Sequence, residues 1–429
     1  MKAAAGVFLA GAGSRLLPPS IPFRFFGAAV VYHLLAWGAL LAGAEYVPRF
    51  AGGLGWPLAA LHLVTLGVLV MTAIGASLQL LPVATRRSVG TTRWPAAVWW
   101  LYTPGVAVLA LGMGIASPRL LAAGAAATVI ALAAYAVLLA RNLAGARGMP
   151  VVVAHGWAAL AALVVAVVTA LSLASSYVGA PGLDRGTAQA LHMVYATYGF
   201  MGMLALGLSY ILVPMFALAA ASDERKAFAS VALAVTALLL AAAASFGIAP
   251  GVTGIGALAA GAGAVALHIR LMAVALATGM RRRLGRSLVL VRIAWALLGA
   301  SLVAALGMAL QVPVDGIGTL FVLLLAGGWL LTFLLGILQR IVPFLAAMHA
   351  GQRKMAGKRL PPTPSALTAD RPLAIHFVCH LAALALLAIA VIAESAWAVR
   401  LAAVVGTAGA LAFAHFFVVA MRRMNVAEK

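Results

Sequence analysis

Apolar residues run along this chain in long unbroken stretches, each closed by charged residues or by Pro and Gly. Twelve such stretches stand out, at about 24–45, 56–84, 94–116, 119–142, 150–174, 188–217, 226–247, 251–279, 287–311, 317–345, 372–395 and 398–422. A helix needs about 20 mostly apolar residues to cross the hydrocarbon core. A membrane barrel would instead alternate apolar and polar positions in short segments, and no such alternation occurs here. The pattern therefore predicts an all-α membrane protein with about twelve transmembrane helices in a single domain, 1–429.

Composition strengthens this reading. Hydrophobic residues make up 65% of the 429 positions and charged residues 9%, against roughly 25% charged in soluble proteins. Lipid must be the main solvent. The net charge of +21 could suggest nucleic acid, but its placement argues against that partner. With the N-terminus inside, all but five of the 29 Lys and Arg face the cytoplasm. Arg49, Arg119, Arg185 and Arg400 fall outside, and Arg270 falls within a span. This asymmetry orients the chain N-in, C-in, as expected for a bacterial inner membrane protein, with its basic side against anionic lipid headgroups. Residues 1–13 read as a retained lead-in rather than a cleaved signal. Cys379 is the only cysteine, which removes disulfides and cysteine metal cages.

Within the apolar background lies a repeat. Gly75 to Pro82, Gly207 to Pro214 and Gly336 to Pro343 each read Gly, six residues, Pro, with a polar residue (Gln79, Tyr210, Gln339) three or four positions before the Pro. Four helices separate one copy from the next. Pro ends or kinks a helix, and Gly admits a close neighbour. Two helices later come Tyr135, His268 and His415 as central polar residues. The spacing predicts three pseudo-symmetric four-helix units, about 20–145, 146–285 and 286–429, with a solvated cytoplasmic loop at 350–371.

This arrangement resembles the haem-copper oxidase subunit I superfamily, including its nitric-oxide-reductase branch; the twelve-helix NnrS family is a similar comparison. The residues that carry the resemblance are Leu61-His62 through Gly75 to Pro82 and Leu191-His192 through Gly207 to Pro214. The superfamily has twelve helices in three arcs and a haem-ligating His near the outer end of its second helix. The resemblance thus implies b-type haem and work in electron transfer or in handling nitric oxide or another diatomic gas, with a redox partner protein or subunit. The departures are equally specific. Stretches 226–247 and 317–345 contain no His, where the family's oxidases place copper and haem ligands. A binuclear centre is not expected, and copper lacks its helix-seven histidines.

The histidines are the chemistry left to weigh, since ionisable side chains at membrane depth are costly and usually functional. His62 and His192 both lie early in their spans, at similar depth, and are the expected axial ligands of haem iron. They stand 20 and 22 residues before their prolines, and two residues turn a helix by about 200°, so a bulge or a different helix start is needed to bring them into register. His33 and His155 are expected as second-sphere or alternative ligands, or as interhelical hydrogen-bonding residues. Arg270, beside His268, suits a haem propionate or snorkels to an interface. His376 and His380, four apart, read as polar groups near the cytoplasmic boundary, or as a metal clip without an evident third ligand. No span carries a central carboxylate, which disfavours a proton pump. The competing expectation is a transporter or channel on the same scaffold, without haem.

Overall fold

The structure, a computed structural model, describes residues 15–88, 90–177, 179–280, 285–354 and 362–426, and every regular element among them is helical. Twelve helices are long and apolar enough to cross a membrane: α1 (Ser20–Ala42), α2 (Trp56–Ala84), α3 (Arg93–Gly114), α4 (Pro118–Ala144), α5 (Pro150–Ser176), α6 (Arg185–Ala217), α7 (Glu224–Ser245), α8 (Pro250–Thr278), α9 (Gly285–Ala309), α10 (Ile317–Gly351), α11 (Asp370–Ile392) and α12 (Ala396–Asn425). The chain is a multi-pass membrane protein. Expected and observed boundaries agree within four residues everywhere except at the end of α10. The lead-in 1–13 and the middle of the loop, 355–361, lie outside the described residues.

The helices carrying Pro82 and Pro214 end two and three residues past the proline, where the sequence placed their ends, whereas helix continues from Pro343 to Lys354. An interior Pro costs one backbone hydrogen bond and a local clash, which the dense packing of these three helices outweighs. Their common feature lies upstream. Each contains a stretch of wider π-helix: Leu63–Val70 in α2, Tyr195–Gly202 in α6 and Leu323–Leu331 in α10. Each stretch ends twelve residues before its proline. The motif glycines have a common role too. A Cβ on Gly75 would fall 2.7 Å from Phe25 of α1, one on Gly207 2.6 Å from His155 of α5, and one on Gly336 2.7 Å from the Ser287 carbonyl of α9. In each case the missing side chain lets the preceding helix cross close by.

The helices α2, α6 and α10 form the middle of the bundle. The most apolar window of α6 is 94% buried, against 11% for α8. The π-segments of α2 and α6 both pack on that of α10. Around them lie three tight hairpins, α3–α4, α7–α8 and α11–α12, with α1, α5 and α9 between, and α1 packs on α12 to close the ring. Two ion pairs, Arg49–Glu394 and Arg400–Glu45, tie the α1–α2 connection to the α11–α12 end.

Candidate functional site

His62 follows the first two turns of α2, and His192 those of α6, about 9 and 11 Å below the helix starts at 1.5 Å per residue. Each immediately precedes or nearly abuts a π-segment, a feature that recurs at functional sites because it re-aims side chains. Despite the two-residue offset in their motifs, the two rings come together. Their centres are 6.4 Å apart and their planes only 10° from parallel. The Nδ1 of His62 lies 3.0 Å from the Leu58 carbonyl and that of His192 2.9 Å from the Ala166 carbonyl of α5. A carbonyl can only accept, so each Nδ1 carries the proton and each Nε2 keeps its lone pair. No protein group hydrogen-bonds either Nε2 among the described residues. This is how a metal-ligating His is usually held, with one nitrogen fixed by a carbonyl and the other left for the metal.

A second cluster joins α5, α6, α8 and α9 nearer the opposite face. Tyr210 lies between His155, at 5.5 Å between ring centres, and His268, at 5.1 Å; Trp295 stands 6.3 Å beyond His268. His155 Nδ1 is bonded to the Val151 carbonyl at 2.9 Å. Its Nε2, both nitrogens of His268 and Trp295 Nε1 are buried without a hydrogen-bond partner among the described residues. Buried polar groups are ordinarily satisfied, so this concentration marks a site rather than ordinary packing.

The third cluster corrects an expectation. His376 and His380 are not solvated ends of α11; they are 0% and 2% exposed, because α12 packs along α11 at Gly409 and Phe413, and Thr332 of α10 meets His380. Their rings lie 5.6 Å apart. His376 Nδ1 bonds the Gly409 carbonyl of α12 and His380 Nε2 meets Thr332 Oγ1 at 2.8 Å. His33, on α1, is close enough to interact electrostatically with both, and its Nε2 accepts from Trp37 Nε1 at 3.2 Å. Still, among the described residues no three His, Cys, Asp or Glu side chains are arranged to hold a metal.

No protein-family model matches the chain, and no curated protein matches it. The reading therefore rests on geometry.

Of the five residues expected at a cofactor, His62 and His192 are brought together, and His155 and His33 each anchor a separate cluster. Arg270 is exposed on α8, away from all three, as a snorkelling residue would be. His415 is exposed too, and Phe413 and Phe416 take the buried positions on α12. The third unit's expected polar centre is thus aromatic. Tyr210, which the sequence reading did not single out as a ligand-facing group, was visible as the polar residue of its Gly-x6-Pro motif.

Proposed function

We propose that the protein is a haem-binding membrane protein built from three four-helix units, oriented N-in and C-in, and serving electron transfer. The iron would be held by Nε2 of His62 and Nε2 of His192. The observation that carries this is the spacing of the two rings. A metal–imidazole bond is about 2.0–2.1 Å, and the nitrogen lies roughly 1.2 Å from its ring centre, so two imidazoles sharing one metal could have centres up to about 6.4 Å apart. The spacing here, 6.4 Å, is within that reach. The fixed Nδ1–H tautomers fit the same role. The chain has one cysteine and no Cys-x-x-Cys-His attachment motif, and b-type haem is the form this donor set suits.

Bound haem supplies reversible one-electron chemistry at its iron. The chain's own residues hold the ligand rings in place and surround them with apolar side chains. If His62 and His192 both held the iron, this donor set would favour electron transfer over binding of a diatomic gas. The repeat is supported by the three π-segments, each the same distance from its proline, and by the three close helix crossings at Gly75, Gly207 and Gly336.

The test is a reduced-minus-oxidised optical spectrum of the purified protein made with adequate haem. The wild type should show a low-spin b-type spectrum. His62→Ala and His192→Ala should each convert it to a high-spin form or abolish it. A colourless wild type would refute the proposal, as would single variants with unchanged spectra.

The His155–Tyr210–His268–Trp295 cluster favours a second reading, a polar pathway through a transporter. On that reading the wild type is colourless and His268→Ala alters substrate-dependent flux, while His62→Ala does not.

A further inference from the structure

Residues 225–314 contain eight Lys and Arg and no Asp or Glu. Two of those cations lie inside membrane-spanning helices, Arg270 on α8 and Arg292 on α9. Arg270 stands eight residues before the end of α8, and Arg292 seven residues after the start of α9. The two helices are consecutive and pack together, so both arginines belong to the same end of the pair. At 1.5 Å per residue they lie about 12 and 10.5 Å from those helix ends. The helices have 29 and 25 residues, which makes them about 43 and 38 Å long against about 30 Å of hydrocarbon. With each helix centred in the bilayer, both Cα atoms sit about 5–7 Å inside the hydrocarbon, at matching depth. Both residues are exposed. Neither has a hydrogen bond or ion pair among the described residues.

An unpaired guanidinium at that depth is costly, but its apolar stem lets it rise to the phosphate level of the bilayer. Two of them, with no acid in the surrounding sequence, offer fork-shaped donors that match a phosphodiester. On α8 the exposed positions that continue from Arg270 along the same face are Ala266, Ala262 and Ala259; on α9 they are Ala296 and Val303. These small apolar faces leave room for acyl chains. We infer that this rim of α8 and α9 binds an anionic phospholipid, its phosphate accepting from Arg270 and Arg292 and its tails lying along those faces. The local excess of positive charge favours an anionic headgroup over a zwitterionic one, whose ammonium it repels. A partner helix bearing a carboxylate would also neutralise the arginines, but it would have to bring its own charge into the hydrocarbon. The site does not depend on the haem reading.

The experiment is native mass spectrometry of the delipidated full chain titrated with dioleoyl phosphatidylglycerol or dioleoyl phosphatidylcholine, which share their tails. Wild type should hold phosphatidylglycerol about tenfold more tightly or better. Arg270→Gln and Arg292→Gln should each weaken that binding about fivefold, the equivalent of about 1 kcal/mol per cation, and leave phosphatidylcholine binding unchanged. Arg270→Lys keeps the charge without the fork and should lose less. Arg119→Gln, which removes an exposed arginine at the start of α4, should bind as wild type does. Elution as a monodisperse species on size exclusion shows that a variant is folded. Equal retention of the two lipids by the wild type overturns the inference, as does unchanged selectivity in the folded Arg270→Gln, Arg292→Gln double variant. A cross-link from Ala266→Cys to a second protein chain in native membranes would overturn it too, because that face would then belong to a protein partner.

Discussion

Ser77 and Tyr135 join hydroxyl to hydroxyl at 2.8 Å across α2 and α4, both fully buried. The corresponding helices of the next unit, α6 and α8, meet through Tyr210 and His268. One contact is closed and satisfied; the other is left with unpartnered polar atoms. Position alone therefore does not make a functional site. What differs is whether the polar groups satisfy each other.

Tyr135→Phe and Ser77→Ala should therefore behave as structural variants. Interhelical hydrogen bonds in membranes contribute about 0.6 kcal/mol, up to about 1.7. A double-mutant cycle measured by reversible unfolding in mixed micelles should give a coupling in that range. The haem spectrum should be unchanged in both. A spectral shift in Tyr135→Phe would tie this pair to the cofactor and contradict the distinction drawn here.

Glycines in the α3–α4 hairpin should be far less replaceable. A Cβ on Gly124 would lie 2.2 Å from the Leu109 backbone nitrogen, and one on Gly112 2.4 Å from that of Leu121. Backbone cannot yield as a side chain can, so the helices must separate. Gly124→Val should lower folded yield sharply, with a loss at or above the about 1–3 kcal/mol typical of overpacking. Gly299→Ala, with nothing within 4 Å of the new methyl, should leave thermal stability within about 0.5 kcal/mol of wild type. Similar behaviour of the two variants would mean the hairpin is looser than described.

Much of this architecture was legible in the sequence because lipid imposes a length on every apolar run; helix ends could be read from charges and Pro or Gly. The Gly-x6-Pro motif falls on the three helices that form the middle of the bundle, a position the motif itself did not reveal. Other features were hidden for identifiable reasons. A continuous run such as Leu63–Val70 is apolar at every position, so α- and π-helix look alike. His376 and His380 were placed near water by counting from Asp370, but α12, packed along α11 at Gly409 and Phe413, covers them. His415 was matched to His268 by polarity, while Phe416 takes the buried position. For the site, His62 and His192 were named from their position in the spans. Their meeting needed the fold.

Asp184 caps α6, the helix that carries His192. Its carboxylate accepts from the backbone N–H groups of Gly186 and Thr187 at 2.9 and 3.2 Å. Hydrogen bonds from Thr187, then Gly186, hold its pKa below the usual 3.8. The folded value is depressed, so the cap is intact at neutral pH and is lost only as pH falls through that lowered value. Hydrogen exchange at Gly186 and Thr187, corrected for intrinsic rates, should show constant protection from pH 7 to about pH 4. Asp184→Ala should lose that protection throughout, while Asp184→Asn, which still accepts, should keep most of it. Loss of protection near pH 5 or 6 would place control elsewhere.

The last prediction concerns the π-segments. A π-segment inside an α-helix adds residues per turn, often as a single-residue insertion. Deleting Val64 should return α2 to α-helical winding while keeping its span long enough for the bilayer. Everything on the N-terminal side, His62 included, then turns by about 100° relative to the rest of the helix. That rotation would take the imidazole away from His192 while the chain remains in the membrane, so the proposed haem spectrum should vanish and the folded protein persist on size exclusion. The matched control is deletion of Leu324 in the α10 segment, where no histidine precedes the bulge; its spectrum should be retained. If both deletions keep the spectrum, or only the α10 deletion removes it, the π-segment of α2 does not aim His62 and the iron is not shared across α2 and α6.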